Sequence, residues 1–257
     1  MRVINTYVKS EYLVRQSFKA NAWFTILSGI IGAIVQYYVW HAIAPSQDIN
    51  MLVTYGLMAI VLSTVIPTTE TAKKLGKNIN DGQIGSILAK PVTISQVMLG
   101  RSIGTLIYDL IYKLMPLTII YAVFFRQVLQ FNQVNMLILL LSIVLSWLIA
   151  WLIGMIIGFC AFITVRVNGL LALNGGLMVI LGGAAIPINI YPPLIKVIAE
   201  WSPFYAIGYI PLSLVTGMNQ TTISMLILHQ LIWLGIIFLV YAVISKMVLN
   251  RLSIMGG

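Results

Sequence analysis

In the stretch "YDLIYKLMP" an acid, Asp109, and a base, Lys113, stand four residues apart inside a long apolar run. That spacing puts both on one helical face, in the order that favours an ion pair. Ionised groups in such surroundings are costly and mark functional positions. Two readings are open: the pair neutralises itself, or Asp109 faces a cavity and attracts a cationic substrate. Other groups able to do chemistry are few. The chain has six acids, two histidines and one cysteine. They are scattered over different segments, with no nucleophile–base pair at working spacing and no metal-ligand pattern. A membrane-embedded enzyme is therefore disfavoured. Cys160 cannot form an intrachain disulfide and reads as a small packed residue. Asn174, His229, Gln230 and Gln36 are single polar residues in apolar runs, of the kind that bond across helices for about 1 kcal/mol or less. His41 reads as interfacial. Gly76-Lys77 is followed by Asn and lacks the earlier glycine of a phosphate-binding loop, so no ATP site of that kind exists on this chain.

The elements that must position these residues follow from composition. Only 8% of residues are charged and 60% are hydrophobic, and the mean hydropathy is +0.99. Soluble domains carry roughly 25% charged residues. No Asp, Glu, Lys or Arg falls between Lys19 and Asp48, Asp48 and Glu70, Arg126 and Arg166, or Glu200 and Lys246. Continuous apolar runs of about 20 residues are membrane-spanning helices, and the absence of alternation excludes a barrel. The fold class expected is an all-α polytopic membrane protein forming a single domain over residues 1–257. Six spans are expected near 22–44, 51–69, 100–124, 136–164, 169–190 and 222–246. No cleavable signal is read in the polar first twenty residues.

Lysine and arginine bias orients these spans. With both termini cytoplasmic, Arg2, Lys9, Arg15, Lys19, Lys73, Lys74, Lys77, Lys90, Arg101, Arg166, Lys246 and Arg251 lie inside. Only Arg126 and Lys196 lie outside. The basic balance is thus positive-inside bias, and with no compact basic domain no nucleic-acid partner is expected. Residues 1–20 read as an amphipathic helix on the cytoplasmic membrane surface: Ile4, Tyr7, Val8, Tyr12 and Phe18 share a face, with Arg2, Lys9, Arg15 and Lys19 off it. Trp23, Tyr37, Tyr38 and Trp40 read as an interfacial belt.

Two segments fit neither a span nor a plain loop. In residues 70–99, "NINDGQIGSILAKPVTISQV" carries a turn signal at Asn80-Asp81-Gly82. A short helix with Ile84, Ile87 and Leu88 on one side follows, then a stop at Pro91 and a cap at Thr93. Such a helix needs a partner. Residues 186–219 hold prolines 192, 193, 203 and 211 among apolar residues. They read either as a re-entrant helical hairpin or as an interfacial loop, with Trp201 and Tyr205 at interface level.

The chain resembles the permease subunits of ABC-2 type exporters, particularly the small six-span group with "G-x-I-x-x-x-L-x-[KR]-P-V". That signature reads here Gly82, Ile84, Leu88, Lys90, Pro91, Val92. "GGAAIPINIYPPLIKVIAEWSPFYAIGYIPLSLVTG" (182–217) and the terminal "NRLSIMGG" (250–257) resemble the family's segments at those places. The resemblance implies that residues 70–99 form a cytoplasmic coupling helix docking on a separate ATPase subunit, with Gln83, Ile84, Ile87, Leu88, Lys90 and Pro91 as its contact residues. It also implies an outer gate at Pro193, Trp201, Pro203 and Phe204. Two ATPase subunits carrying ATP and Mg, a second permease chain (the same or a sister) and membrane lipids are the implied partners. The implied activity is export of an amphipathic or hydrophobic compound (drug, antibiotic, peptide or lipid) by alternating access across the cell membrane. The competing class is an energy-independent channel or the membrane subunit of an importer. A channel would show rings of charge or carbonyl filters, which are absent.

Overall fold

The computed structural model describes residues 2–43, 49–162, 167–218 and 221–255, and among them every regular element is helical. Helix α1 (Arg2–Ser17) leads into α2 (Lys19–Ile43) and α3 (Ile49–Ser63). Two shorter helices follow, α4 (Glu70–Asn80) and α5 (Ile84–Leu88). Next come α6 (Ile94–Asp109) and α7 (Met115–Phe124), then α8 (Met136–Phe159) and α9 (Asn168–Leu181). The chain closes with α10 (Pro193–Glu200), α11 (Pro203–Ile207), α12 (Tyr209–Thr216) and α13 (Ile223–Met255).

Among the described residues, four helical runs are long and apolar enough to cross a membrane: Lys19–Ile43, Ile94–Phe124, Met136–Phe162 and Ile223–Val248. The expected spans at 51–69 and 169–190 correspond to shorter apolar helices, α3 and α9. Their ends have local causes. After Ser63, the Ser63 and Thr64 hydroxyls donate to the carbonyls of Ile60 and Val61, both at 2.7 Å. Such bonds offer the backbone an alternative to the helix. Pro67 then disfavours helix at Ile66. Helix α9 stops at Gly182-Gly183, where Gly183 takes φ +68°, a left-handed conformation open to glycine. The Tyr55 hydroxyl donates to the Gly183 carbonyl at 2.7 Å and pins the stop.

Between α6 and α7, Leu110–Leu114 winds as a π turn. Pro116 explains it. Proline has no N–H for the Tyr112 carbonyl, and its ring would clash with that carbonyl in a regular α-helix. Widening one turn keeps the run continuous. Thr93 starts α6 with a reciprocal capping box: its hydroxyl accepts from the Gln96 amide at 3.2 Å, and the Gln96 side chain accepts from the Thr93 amide at 3.1 Å.

Glycines set the close helix crossings. A methyl group at Gly100 would meet the Ile4 carbonyl at 2.9 Å, and one at Gly104 would meet Glu11 Cβ at 3.0 Å, so α1 lies directly on α6. Likewise, a methyl at Gly154 would meet Thr71 Cβ at 2.9 Å and one at Gly158 would meet Leu75 Cβ at 2.8 Å, so α4 lies on α8. Small residues four apart permit this approach. At the far end of the bundle the Asn132 amide donates to Val215 at 2.8 Å and Asn189 Nδ2 to Met218 at 2.5 Å. Helices α11 and α12 are central rather than peripheral. Tyr205, Ile207, Tyr209 and Ile210 share a core cluster with Tyr55 and Ile149. Tyr205, expected at an interface, is therefore buried. Of the aromatics read as a belt, Trp23 and Tyr38 are exposed and Trp40 is buried.

Candidate functional site

Three acid-to-base pairs at the same four-residue spacing, one from α1, one from α4 and one joining the end of α6 to the π turn, converge at one end of the bundle. Within its own pair, Arg15 Nε lies 3.3 Å from Glu11, Lys74 lies 3.4 Å from Glu70, and Lys113 lies 2.7 Å from Asp109. Cross-links then join the pairs. Lys74 reaches Glu11 at 2.6 Å, and Arg15 pairs with Glu70 and lies 3.8 Å from Asp109. Lys74 also donates to Thr105 at 3.0 Å. The network holds half of the chain's six acids and balances them with three bases. Burial pushes the Lys74 ammonium below the ordinary lysine range, Arg15 adds to this, and the bond to Glu11 opposes it. Asp109 and Lys113 are both buried and lie 2.7 Å apart, and Arg15 links them to the other two pairs.

Arg15 corrects the sequence reading. It was expected off the packed face of α1, with Phe18 on it. In the fold Arg15 turns inward to the acids and Phe18 is exposed. Charge complementarity across helices decides a side chain's direction here, not the apolar periodicity of its own helix. Glu11, Glu70, Lys74 and Arg15 were not singled out from sequence. The signal that could have found them is the repeated spacing itself.

A polar cavity of about 240 Å³ opens beside this network. Thr64, Thr68, Thr71, Ser102 and Thr105 are among its walls, with Glu70, Lys74, Asp109 and Lys113. Thr71 is 2% exposed and its hydroxyl has no hydrogen-bond partner among the described residues. A second, larger groove of about 860 Å³ runs between α3, α7 and α8. No ionised side chain lines it, and the Tyr121 hydroxyl on its wall is committed to the Gly29 carbonyl at 2.7 Å.

The short α5 turns Ile84 and Ile87 inward. Ile84 and Ile87 are buried in a cluster with Leu75, Val97, Phe159 and Tyr241. Within this chain the two residues expected at a contact face pack against α4, α6 and α8, which removes their apolar surface from water. Gln83, Lys90 and Pro91 are exposed, while the side chain of Leu88 lies outside the described residues. The signal Gly82 takes φ +70° and makes the turn from α4.

Of the remaining polar residues, Asn174 and Gln230 bond to other segments, whereas buried His229 Nε2 and Gln230 Oε1 have no hydrogen-bond partner among the described residues. Asn174 donates to the Thr68 carbonyl at 2.6 Å, joining α9 to the segment after α3. Gln230 is fully buried at 0% exposure. Its two Nε2 protons are shared among three acceptors, Ser146 Oγ at 3.0 Å and the carbonyls of Ser142 and Ala206 at 3.1 and 2.9 Å. It thereby clamps α8, α11 and α13. His229, beside it, stands edge-on to Tyr205 with ring centroids 5.4 Å apart. Gln36 packs on Gly56. Asp109 and Lys113 are thus brought to one cavity, whereas Asn174, His229 and Gln230 stand elsewhere. At the far end Pro193 is exposed, Trp201 is 77% exposed, and Pro203 and Phe204 are half-buried. Among the described residues no group of His, Cys, Asp and Glu could hold a metal ion.

A family model described as "ABC-2 family transporter protein" matches residues 46–256. Among curated proteins no sequence matches the chain. The matched span contains α3 to α13, the polar cavity's walls from α3, α4 and α6, and all of the apolar groove. An ABC-2 transporter's membrane chain is a transport subunit that works with a separate ABC ATPase. The chain belongs to the ABC-2 transporter family, as its membrane-embedded permease.

Proposed function

We propose that this permease is one half of an ATP-driven exporter, with α4 and α5 as its cytoplasmic coupling segment. In this reading α2, α3, α6–α7, α8, α9 and α13 make six crossings. The shorter α3 and α9 are completed by the non-helical residues that follow them. Both termini and α1 lie on the cytoplasmic side, where twelve of the basic residues collect. Two ATPase subunits bind ATP and Mg. A second permease chain, the same or a sister, completes the pathway for an amphipathic or hydrophobic compound.

The carrying observation is how firmly α4 is tied to the spans. It lies on α8 through Gly154 and Gly158, and its Glu70 and Lys74 join Arg15 of α1 and, through it, Asp109 of α6. Force applied by a partner to α5 would reach two spans without passing through a flexible loop. The docking residues are Gln83, Lys90 and Pro91 with Leu88. Ile84 and Ile87 support them from beneath. Pro193, Trp201, Pro203 and Phe204 flank the far end of the pathway as its outer gate, and α10 to α12 form a re-entrant hairpin there.

The test is co-purification in detergent with the co-expressed ABC ATPase. The native chain should retain the ATPase, and Lys90→Glu should lower retention by about tenfold, as loss of a docking hot spot does, with an unchanged melting temperature. If the native chain retains no ATPase, the exporter reading fails and a channel-like function takes its place.

A further inference from the structure

We infer that a single copy of this permease holds an amphiphile with a neutral, hydrogen-bonding headgroup, the head in the polar cavity and the apolar tail in the groove between α3, α7 and α8. That the amphiphile is transported rests on the exporter reading, which this site deepens; the site itself rests on geometry. The two cavities share Val65, Ile66, Leu106 and Trp147 as walls, so one ligand can touch both. On the groove side, about 860 Å³ falls within the roughly 300–1,000 Å³ of ligand pockets. Along α8 it runs from Trp147 to Met136, about 16 Å of helix at 1.5 Å per residue. The groove offers a tail no charge, and Thr118 Oγ1 is turned back on the Leu114 carbonyl at 3.0 Å.

The head's chemistry follows from what is already satisfied. Lys113 is matched by Asp109, Lys74 by Glu11 and Glu70, and Arg15 by Glu70. A charged head would have to separate one of these pairs and leave a buried charge uncompensated. Asp109 Oδ1, ion-paired to Lys113, accepts no hydrogen bond among the described residues and is open to a donor on the head. The hydroxyls are different. Thr71 has no partner among the described residues, and Thr105, which accepts from Lys74, keeps its own proton to donate. A polyol head offers acceptors to both and needs no counter-charge.

Photolabelling tests this on the full chain in phosphatidylcholine nanodiscs, using a dodecyl glucoside with a mid-chain diazirine and mass-spectrometric readout. Label is expected on α3 and α8. Excess untagged dodecyl glucoside should remove it; dodecyl sulfate and dodecyltrimethylammonium, below micelle-forming concentrations, should not. Val144→Trp, which fills the groove from its exposed wall, should cut labelling by about tenfold, and Thr71→Val by a smaller factor. Label confined to the exposed faces of α2 and α13, or unchanged in Val144→Trp, overturns the site. Equal competition by all three headgroups overturns the neutral-head assignment. A Val144→Cys cross-link between two copies that excludes label also overturns it, by making the groove a dimer seam. Labelling needs no ATP, so the two ideas fail separately. Lost label with the ATPase still bound sinks only the site, and label without any ATPase sinks only the exporter reading.

Discussion

The two ends of the helix bundle treat buried polarity and short apolar helices in opposite ways. At the basic end, three acids and three bases from α1, α4 and the end of α6 with its π turn form one ionised network, and α5 turns Ile84 and Ile87 into the protein. At the far end the buried polar centre is neutral, Gln230 against two carbonyls and a hydroxyl, and α10 turns its apolar residues outward, with Leu194 75% exposed. Ionised pairs cost desolvation and are sensitive to losing one member, whereas amide bonds between helices are modest and independent. The basic end is therefore built to move or hold as a unit, and the far end to be stitched bond by bond.

The sharpest break in that comparison is Asp109→Leu. It leaves Lys113 buried without its 2.7 Å partner and should cost about 3–5 kcal/mol, read as thermal unfolding in detergent. The double variant Asp109→Leu with Lys113→Leu should recover most of that loss. If the single variant melts like the native chain, the network does not hold this end together. Next in size is Ile87→Ala, expected to lose about 2–3 kcal/mol because Ile87 is a core residue. An unchanged melting temperature would return Ile87 to an exposed contact face. Gln230→Leu comes third. Two N–H groups shared among three acceptors, at about 0.6 kcal/mol per bond, amount to a loss of about 1 kcal/mol, and the size of the effect should not change with salt. A strong salt dependence would mean the neutral centre is coupled to the ionised one. The smallest effect is expected for Leu194→Ala on the exposed face of α10, within about 0.5 kcal/mol. A larger loss would show that α10 is covered in the assembled protein.

Much of the fold was legible because it depends on local spacing. Long apolar runs must be helices in a bilayer, and among the described residues four helices are long and apolar enough to cross it. The Thr93 cap and the spacing of Asp109 and Lys113 were readable for the same reason: each depends on residues within one helical turn. The lengths of α3 and α9 were less so. Continuous hydropathy hides a stop made by hydroxyl back-bonding at Ser63 and Thr64 or by a positive φ at Gly183.

Of the candidate site, sequence alone determined which residues are costly in an apolar setting and which neighbours could pair with them along one helix. Tertiary structure decided everything that crosses helices. Gly100 and Gly104 let α1 approach α6 closely enough for Arg15 to abandon the polar face of its own helix. In the same way Gly154 and Gly158 let α4 lie on α8, and the cover this creates draws Ile84 and Ile87 inside. Gln230 became a clamp only because Ser142, Ser146 and Ala206, far away in sequence, arrived beside it. The physical reason is one of range: periodicity reports which residues share a face, but the free energy of burying that face depends on what another helix brings to it.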